Sequence, residues 1–376
     1  MKKLTVVLAL FVCAPQLLLA AVIPAPPQLA AKAYILMDSG SGQIIAQADP
    51  DMPVEPASLT KIMTVFVAAQ ELAEGRLTLD EQALISEKAY RTGGSKMFVE
   101  VDARVPVRDL LKGIIVQSGN DASVALAEHL AGTEAVFASM MNQAAVELGM
   151  RNTRFQNATG LPHPEHITTA RDMALLTRAL VQRYPDVYAW FSEKEFTWSD
   201  IRQSNRNRLL FLDPTVDGVK TGHTEAAGYC LVASAEREGV RLISVVVGAN
   251  SVEARTDDSR ALLEYGFRFF DGREVYAAKQ PVVNYPVFKG KARQVALGFP
   301  TAIALTYPRG RYADINLDVD VELPLVAPIV DGQQLGTGRF VLEGEILHEA
   351  PLVAVQPVPR AGIVRRVIDS VRLLLP

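Results

Sequence analysis

The stretch EPASLTKIMTVFVAAQ, residues 55–70, places a lysine in a run that otherwise suits a hydrophobic core. Most positions from 59 to 72 are apolar, and Pro56 precedes the run, which predicts a helix surrounded by protein. Ser58 lies three residues before Lys61, and positions i and i+3 share one face of a helix. The sequence therefore predicts that the Lys61 ammonium lies beside the Ser58 hydroxyl.

A serine beside a lysine in an apolar environment can act as a nucleophile. Burial lowers the pKa of a lysine, so that its neutral amine can take the serine proton. The start of a helix also favours negative charge developing at Ser58. A structural alternative is that Ser58 only caps the helix and Lys61 extends to solvent. This pair alone does not decide between the two.

A second polar stretch, GIIVQSGNDASVALAEH at residues 113–129, places Ser118 and Asn120 in a short turn before an Ala-rich helix. In a catalytic interpretation Ser118 relays a proton to the leaving group, and the Asn120 amide bonds a substrate carbonyl. The alternative is a simple turn and helix cap.

A third stretch, DGVKTGHT at residues 217–224, has strand character. Lys220 supplies positive potential and Thr221 supplies a hydroxyl, which together suit a terminal carboxylate. Gly222 permits close backbone approach, so that a peptide can pair with this edge as an added strand. The alternative is a strand end with a surface lysine.

The order of the predicted elements indicates an α+β fold. Two strands joined by a Gly/Ser turn open the chain, helical patterns dominate residues 80–190, and three antiparallel strands with a closing helix come after them. Strands at both ends imply one sheet shared by the two ends of this part. From about residue 275 short alternating runs predict a small all-β domain; in INLDVDVELPL we expect five apolar residues on one face: Ile315, Leu317, Val319, Val321 and Leu323.

The two termini have membrane-related patterns. Residues 1–21 combine a basic start, an apolar run and small residues at the end, which predicts a secretory signal peptide; a retained membrane helix is the alternative. The stretch PRAGIVRRVIDSVRLLLP, residues 359–376, predicts an amphipathic helix rich in arginine that suits an anionic membrane surface. Packing of this helix on the protein is the alternative.

Composition excludes several functions. The formal net charge of −4 disfavours nucleic-acid binding. The five histidines lack a zinc-ligand spacing, so that no metal or other cofactor is predicted. Cys230 is the only cysteine beyond the predicted leader, which leaves it no internal disulfide partner there.

The motifs S-x-x-K, S-x-N and K-T-G occur once each, in that order, and this triplet is found in penicillin-binding proteins and class A β-lactamases. With PASLTKIMT, SKMFVEVDARVPVRDLLKGIIVQSGNDAS and YGFRFF, the chain closely resembles the serine-type D-alanyl-D-alanine carboxypeptidases. These are low-molecular-mass penicillin-binding proteins of the 5/6 type, peptidase family S11. The resemblance covers essentially the whole mature chain and implies a β-lactamase/transpeptidase-like catalytic domain.

The resemblance implies a role for each motif residue. Ser58 is the nucleophile, Lys61 its general base and Ser118 the proton relay, and the backbone N–H groups of Ser58 and His223 form the oxyanion hole. The spacing from Arg206 to Lys220 is one residue off the family pattern, so that Arg202 and Arg208 are alternatives for the same role. The substrate-binding residues implied are Asn120, Lys220, Thr221, Gly222, His223, Arg206 and Arg255.

The resemblance also implies an organisation and a location. We expect a signal peptide at 1–21, a catalytic domain at 30–272, a β-rich stalk at 275–357 and an amphipathic anchor at 359–376. The enzyme would then trim peptidoglycan stem pentapeptides at the periplasmic face of the inner membrane. β-Lactam antibiotics would acylate the same serine.

The sequence bears on three alternatives to a carboxypeptidase. A β-lactamase needs a Glu-x-x-Leu-Asn context for its deacylating glutamate, and the nearest candidate, Glu165, lacks it. An endopeptidase acting on cross-links uses the same chemistry, although relatives of that kind usually lack the β domain. A non-catalytic peptidoglycan scaffold has no support, because all three motifs are intact. The deacylating group is not identified.

Overall fold

The computed structural model describes residues 23–374, so the predicted signal peptide at 1–21 lies outside the described residues. The helices are α1 Thr60–Ala73, α2 Glu87–Arg91, α3 Val107–Lys112, α4 Asn120–Ala131, α5 Glu134–Glu147, α6 Ala170–Arg183, α7 Pro185–Tyr188, α8 Leu209–Leu212, α9 Val252–Phe269 and α10 Ile363–Arg372. The strands are β1 Ala33–Asp38, β2 Ile44–Ala48, β3 Gln82–Leu84, β4 Arg104–Pro106, β5 Glu195–Trp198, β6 Ile201–Ser204, β7 Val216–Thr224, β8 Gly228–Arg237, β9 Val240–Ala249, β10 Phe270–Tyr276, β11 Pro281–Phe288, β12 Gln294–Gly298, β13 Ile303–Pro308, β14 Asn316–Val321, β15 Leu325–Val326, β16 Gln334–Leu342 and β17 Glu345–Ala354.

A five-stranded antiparallel sheet with the order β2-β1-β9-β8-β7 forms the centre of the first part of the chain. The N-terminal hairpin joins the later strands where β1 pairs with β9, with Ala33 opposite Val247. The predicted sheet shared by the two ends is therefore confirmed. Among the described strands β7 has a single neighbour, β8, so that β7 forms one edge of the sheet.

Each face of this sheet is covered by helices. Helix α9 packs on β8 and β9 on one face, and α6 packs on β1 and β9 with the helical region on the other. Helix α1 lies within that helical region, and its residues from Thr60 to Ala69 are all buried. This burial explains its mostly apolar sequence, and the predicted core helix is confirmed.

Residues 270–358 form β-sheet structure around a separate hydrophobic core. A six-stranded sheet has the order β14-β16-β17-β12-β11-β15, and β10 pairs with β13. The α+β class with a subsequent all-β part is confirmed. In β14 the residues Leu317, Val319 and Val321 pack toward the core as expected, but Leu323 is 60% exposed because the strand ends at Val321.

Helix α10 is the last helix of the described chain. Five of its apolar side chains, and that of Leu374 just after it, are exposed; the five are Ile363, Val364, Val367, Ile368 and Val371. Between residues 23 and 374 no helix combines the length and the apolar character that crossing a bilayer requires.

Candidate active site

A tight turn at residues 57–59 presents Ser58 immediately before α1. Ala57 has a φ of 48°, in the left-handed region that is energetically unfavourable for a residue with a side chain. The surrounding structure must therefore hold this turn in place. Gly160 provides part of that support, because it approaches so closely that a Cβ there would overlap the carbonyl oxygen of Ala57. Gly160 also has a positive φ, of 83°, which glycine adopts without strain.

The Lys61 side chain is fully buried and lies against Ser58, with 3.1 Å between Nζ and Oγ. Its Nζ also donates to Asn120 Oδ1 at 2.7 Å and to the carbonyl oxygen of Thr159 at 2.5 Å. A neutral amine has two N–H groups and one lone pair. When Asn120 and Thr159 take the two N–H groups, the lone pair is left facing the Ser58 hydroxyl, as a general base requires.

The pKa of Lys61 is lowered from 10.5 to about 7, mainly by burial and also by the nearby positive charge of Arg206, while the negative charge of Asp121 acts in the opposite direction. A substantial fraction of the amine is therefore neutral near pH 7. This is the state that the predicted proton transfer from Ser58 needs.

Ser118 and Asn120 lie on either side of the junction between residues 113–117 and α4. Ser118 has a φ of 66°, and its buried Oγ has no hydrogen-bond partner among the described residues. The Asn120 amide is already engaged, since Oδ1 accepts from Lys61 and Nδ2 donates to the carbonyl oxygen of Gly93 at 2.6 Å. Asn120 thus positions Lys61, in addition to its predicted contact with substrate.

Strand β7 runs beside the Ser58 turn and carries the third motif. Lys220 and Thr221 are buried, and at Gly222 a Cβ would come within 3.3 Å of both Leu59 Cγ and the Pro56 carbonyl oxygen. The absence of a side chain at Gly222 therefore allows β7 to approach the turn. Burial and the charges of Lys61, Arg206 and Arg255 hold the pKa of Lys220 well below its ordinary value.

Of the three arginines that compete for one predicted role, the structure brings Arg206 to the site. Although solvent-exposed, it lies close enough for its charge to lower the pKa of both Lys61 and Lys220. Arg208 instead pairs with Glu253 at 2.6 Å, and Arg202 pairs with Glu195.

Arg255 and His223 have surroundings that the sequence did not indicate. The buried Arg255 guanidinium donates to the carbonyl oxygens of Gly222 at 3.1 Å and Cys230 at 3.3 Å, so it holds the backbone of β7 and β8 from behind. The exposed His223 ring lies against Tyr229, with 4.2 Å between the ring centroids. Both arrangements fix the position of β7.

Three important residues were missed by sequence reasoning: Thr159, Gly160 and Asp121. The carbonyl oxygen of Thr159 holds Lys61. The Asp121 carboxylate is buried and accepts backbone N–H groups from Met97, Phe98, Val99 and Ala122, which secures the loop beside the site. A glycine at 160 followed by proline two residues later marks a turn, but its closeness to Ser58 arises only from the fold.

The described residues offer no group of side chains arranged to hold a metal ion. Glu165, the carboxylate weighed for a β-lactamase mechanism, is exposed and accepts from Gln156 at 3.3 Å.

Comparison with known proteins agrees with this geometry. A family model described as D-alanyl-D-alanine carboxypeptidase, peptidase S11, matches residues 20–251, and one described as the C-terminal domain of penicillin-binding protein 5 matches residues 270–360. The chain is 42% identical to the D-alanyl-D-alanine carboxypeptidase DacC of Escherichia coli K12, over 97% of this chain and 93% of that protein.

Solved structures have the same fold. Penicillin-binding protein 5 from Haemophilus influenzae superposes with a TM-score of 0.87 at 38% identity, covering 90% of this chain and 100% of that one. Penicillin-binding protein D2 from Listeria monocytogenes, in its ampicillin-bound form, gives a TM-score of 0.59 at 32% identity over 64% of this chain and 100% of that one. The family match over more than half of the chain, together with these relatives, establishes that the chain belongs to the serine-type D-alanyl-D-alanine carboxypeptidases of peptidase family S11.

Proposed function

We propose that this chain is a DD-carboxypeptidase that removes the terminal D-alanine from peptidoglycan stem pentapeptides through an acyl-enzyme on Ser58. The observation that carries the proposal is the contact between Ser58 Oγ and the buried Lys61 Nζ, whose pKa of about 7 makes a neutral base available. The family match and the curated relatives support the same reaction.

In the acylation step, Lys61 Nζ takes the proton of Ser58 as Oγ attacks the carbonyl carbon between the two D-alanines. The backbone N–H groups of Ser58 and His223 stabilise the negative charge on the carbonyl oxygen. When the tetrahedral intermediate collapses, the C–N bond breaks and Ser118 relays a proton to the leaving D-alanine amine. Water then attacks the ester and frees Ser58.

Substrate recognition is assigned to the edge of β7. The stem peptide adds as a strand along this edge, and its terminal carboxylate meets Lys220, Thr221 and the guanidinium of Arg206. Asn120 positions Lys61 and donates its remaining N–H to the peptide. Arg255 supports the Gly222 backbone and adds positive potential behind the carboxylate site.

β-Lactams acylate the same serine in this proposal, because their strained amide takes the place of the scissile bond. Support comes from the relative that was solved in an ampicillin-bound form. We also propose that residues 30–272 form the catalytic domain and 275–357 a stalk, and that the signal peptide at 1–21 directs export to the periplasm. The helix at 359–376 then rests on the outer surface of the inner membrane, an assignment supported by its exposed apolar side chains.

The test is D-alanine release from an acyl-D-Ala-D-Ala tripeptide by the chain from residue 21 to 376, with Ser58→Ala alongside and nitrocefin hydrolysis as a parallel assay. Release that disappears in Ser58→Ala supports the proposal. No release from the tripeptide refutes it. In that case nitrocefin turnover indicates a β-lactamase, and inactivity in both assays indicates a cross-link endopeptidase or a scaffold.

A further inference from the structure

Helix α10 is attached to the β-rich part through its polar side. The buried Asp369 carboxylate accepts the backbone N–H of Lys289 at 2.6 Å. Arg365 donates to the carbonyl oxygens of Lys291 at 3.0 Å and Ala292 at 3.3 Å. All three bonds end on residues 289–293, the turn between β11 and β12, which we call the basic turn. The helix and this turn therefore form one unit.

The apolar side of α10 faces away from these bonds and stays uncovered by the described chain. Ile363 and Val364 are 77% and 76% exposed, and Val367 is 58% exposed. A helix that packed on its own protein would bury this side and leave its arginines in solvent. Here the apolar side is exposed, and the protein instead covers Asp369 and part of Arg365, as expected for a helix whose apolar side meets another apolar phase.

The basic turn adds positive charge beside the polar side of α10, where one apolar residue of the helix, Ile368, also borders the space between them. Its sequence KGKAR contains Lys289, Lys291 and Arg293, and the last two are exposed. A groove of about 810 Å³ separates the turn from the helix; its walls include the cations Arg293, Arg365 and Arg372 and the apolar side chains Val287, Phe288 and Ile368.

Little negative charge offsets this group. Helix α10 contains one acidic residue, Asp369. Within residues 23–374, Arg365 and Arg372 of the helix each form an ion pair with Asp369, at 3.8 Å. One carboxylate, already bonded to the basic turn, is shared by two arginines. The groove thus has a positive charge excess in direct contact with apolar side chains.

Cations and apolar groups on one surface match the chemistry of an anionic phospholipid, in which a phosphate adjoins acyl chains. We propose that the basic turn is a second membrane contact of this protein, and that the groove between it and α10 binds the phosphate of an anionic lipid. This inference rests on the proposed membrane contact of α10, and adds a partner surface from the β-rich part. The three bonds to α10 hold the turn at the bilayer.

The test uses sedimentation with phosphatidylcholine vesicles that contain or lack phosphatidylglycerol, and the variant Lys291→Gln/Arg293→Gln. Each cation near an anionic surface contributes about 5-fold in partitioning, so we expect the double variant to bind phosphatidylglycerol vesicles about 30-fold more weakly at low salt. The difference should shrink as salt screens the charges. The matched control, Arg104→Gln/Arg151→Gln, removes two exposed arginines from the catalytic part and should change binding little.

The outcomes separate the two proposals. If the unmodified chain binds these vesicles and the double variant binds equally well, or loses no more than the control, the basic turn is not a membrane contact. If the unmodified chain does not bind, the proposed anchor itself is wrong. Acylation of each variant by a β-lactam, which does not involve this turn, verifies that the variants are folded.

Discussion

The pKa of Lys61 gives the most direct test of the site. Burial, aided by Arg206, lowers this pKa from 10.5 to about 7, which disfavours the charged form by about 5 kcal/mol relative to water. At pH 7 about half of the molecules then have the neutral amine, whereas an ordinary lysine would give about one in 3,000. Since only the neutral amine can take the Ser58 proton, acylation should rise with pH and level off above about pH 7.

The perturbation we choose is Arg206→Gln. Removing this positive charge raises the pKa of Lys61, so the midpoint of the acylation curve should move to higher pH. Burial is the larger cause and stays unchanged, and solvent screens the exposed Arg206, so that we expect a rise of up to about one pH unit. Arg208→Gln is the matched control, because Arg208 is exposed nearby in sequence and paired with Glu253.

The assay is the second-order rate constant for acylation by a fluorescent penicillin between pH 5.5 and 9.5. Loss of a carboxylate contact at Arg206 lowers the rate at every pH by the same factor, whereas the electrostatic effect moves the midpoint. A wild-type rate that does not change between pH 6 and 8 refutes the assignment of Lys61 as the base. A midpoint that is equal in Arg206→Gln and Arg208→Gln refutes the coupling of Arg206 to Lys61.

Three further predictions concern structure around the site and the terminal helix. Gly160→Ala should abolish acylation and lower the unfolding temperature much more than the control Gly149→Ala. Both glycines have a positive φ, but only at residue 160 would a Cβ overlap a neighbouring atom. Thermal unfolding and penicillin labelling test this, and equal effects of the two variants would contradict it. Asp121→Asn should lower the free energy of unfolding by about 2 kcal/mol, because a charged acceptor of four backbone N–H groups is lost. A change below about 0.5 kcal/mol in urea unfolding would count against this role of Asp121. Asp369→Ala should release α10 from the basic turn and so speed amide hydrogen exchange at Lys289 and along the helix. Unchanged exchange at these amides would show that Asp369 does not hold the helix.

Much of the fold was predictable from the sequence, because local patterns and the fold agree over most of the chain. The apolar run of α1 predicted burial, and the strand-like runs separated by a turn predicted β8 and β9. That the two ends of this part share one sheet was predictable from the order of the elements, whereas the pairing of β1 with β9 comes from the structure. Leu323 shows the limit of periodicity: alternation continues past Val321, but the strand ends there and the chain bends at residues 323–324.

The site was predictable to the extent that motifs mark it. Ser58, Lys61 and Lys220 are recognisable by spacing, whereas the partner of Lys61 at Thr159 is a backbone carbonyl, which any residue can supply. Its position depends on a loop 98 residues further along the chain. Arg255 illustrates another limit, since composition does not tell whether a guanidinium meets a ligand or, as here, the backbone behind the site.

The cluster of Lys61, Arg206, Lys220 and Arg255 has a practical consequence for anyone working with the protein. The positive charge of Arg206 lowers the pKa values of the other three, so that an anion relieves this repulsion when it enters. A buffer anion that binds only the folded chain stabilises it increasingly as its occupancy rises. Phosphate or citrate will therefore raise the unfolding temperature and slow acylation at the same time. Antibiotic rate constants should be compared only between buffers of the same anion content.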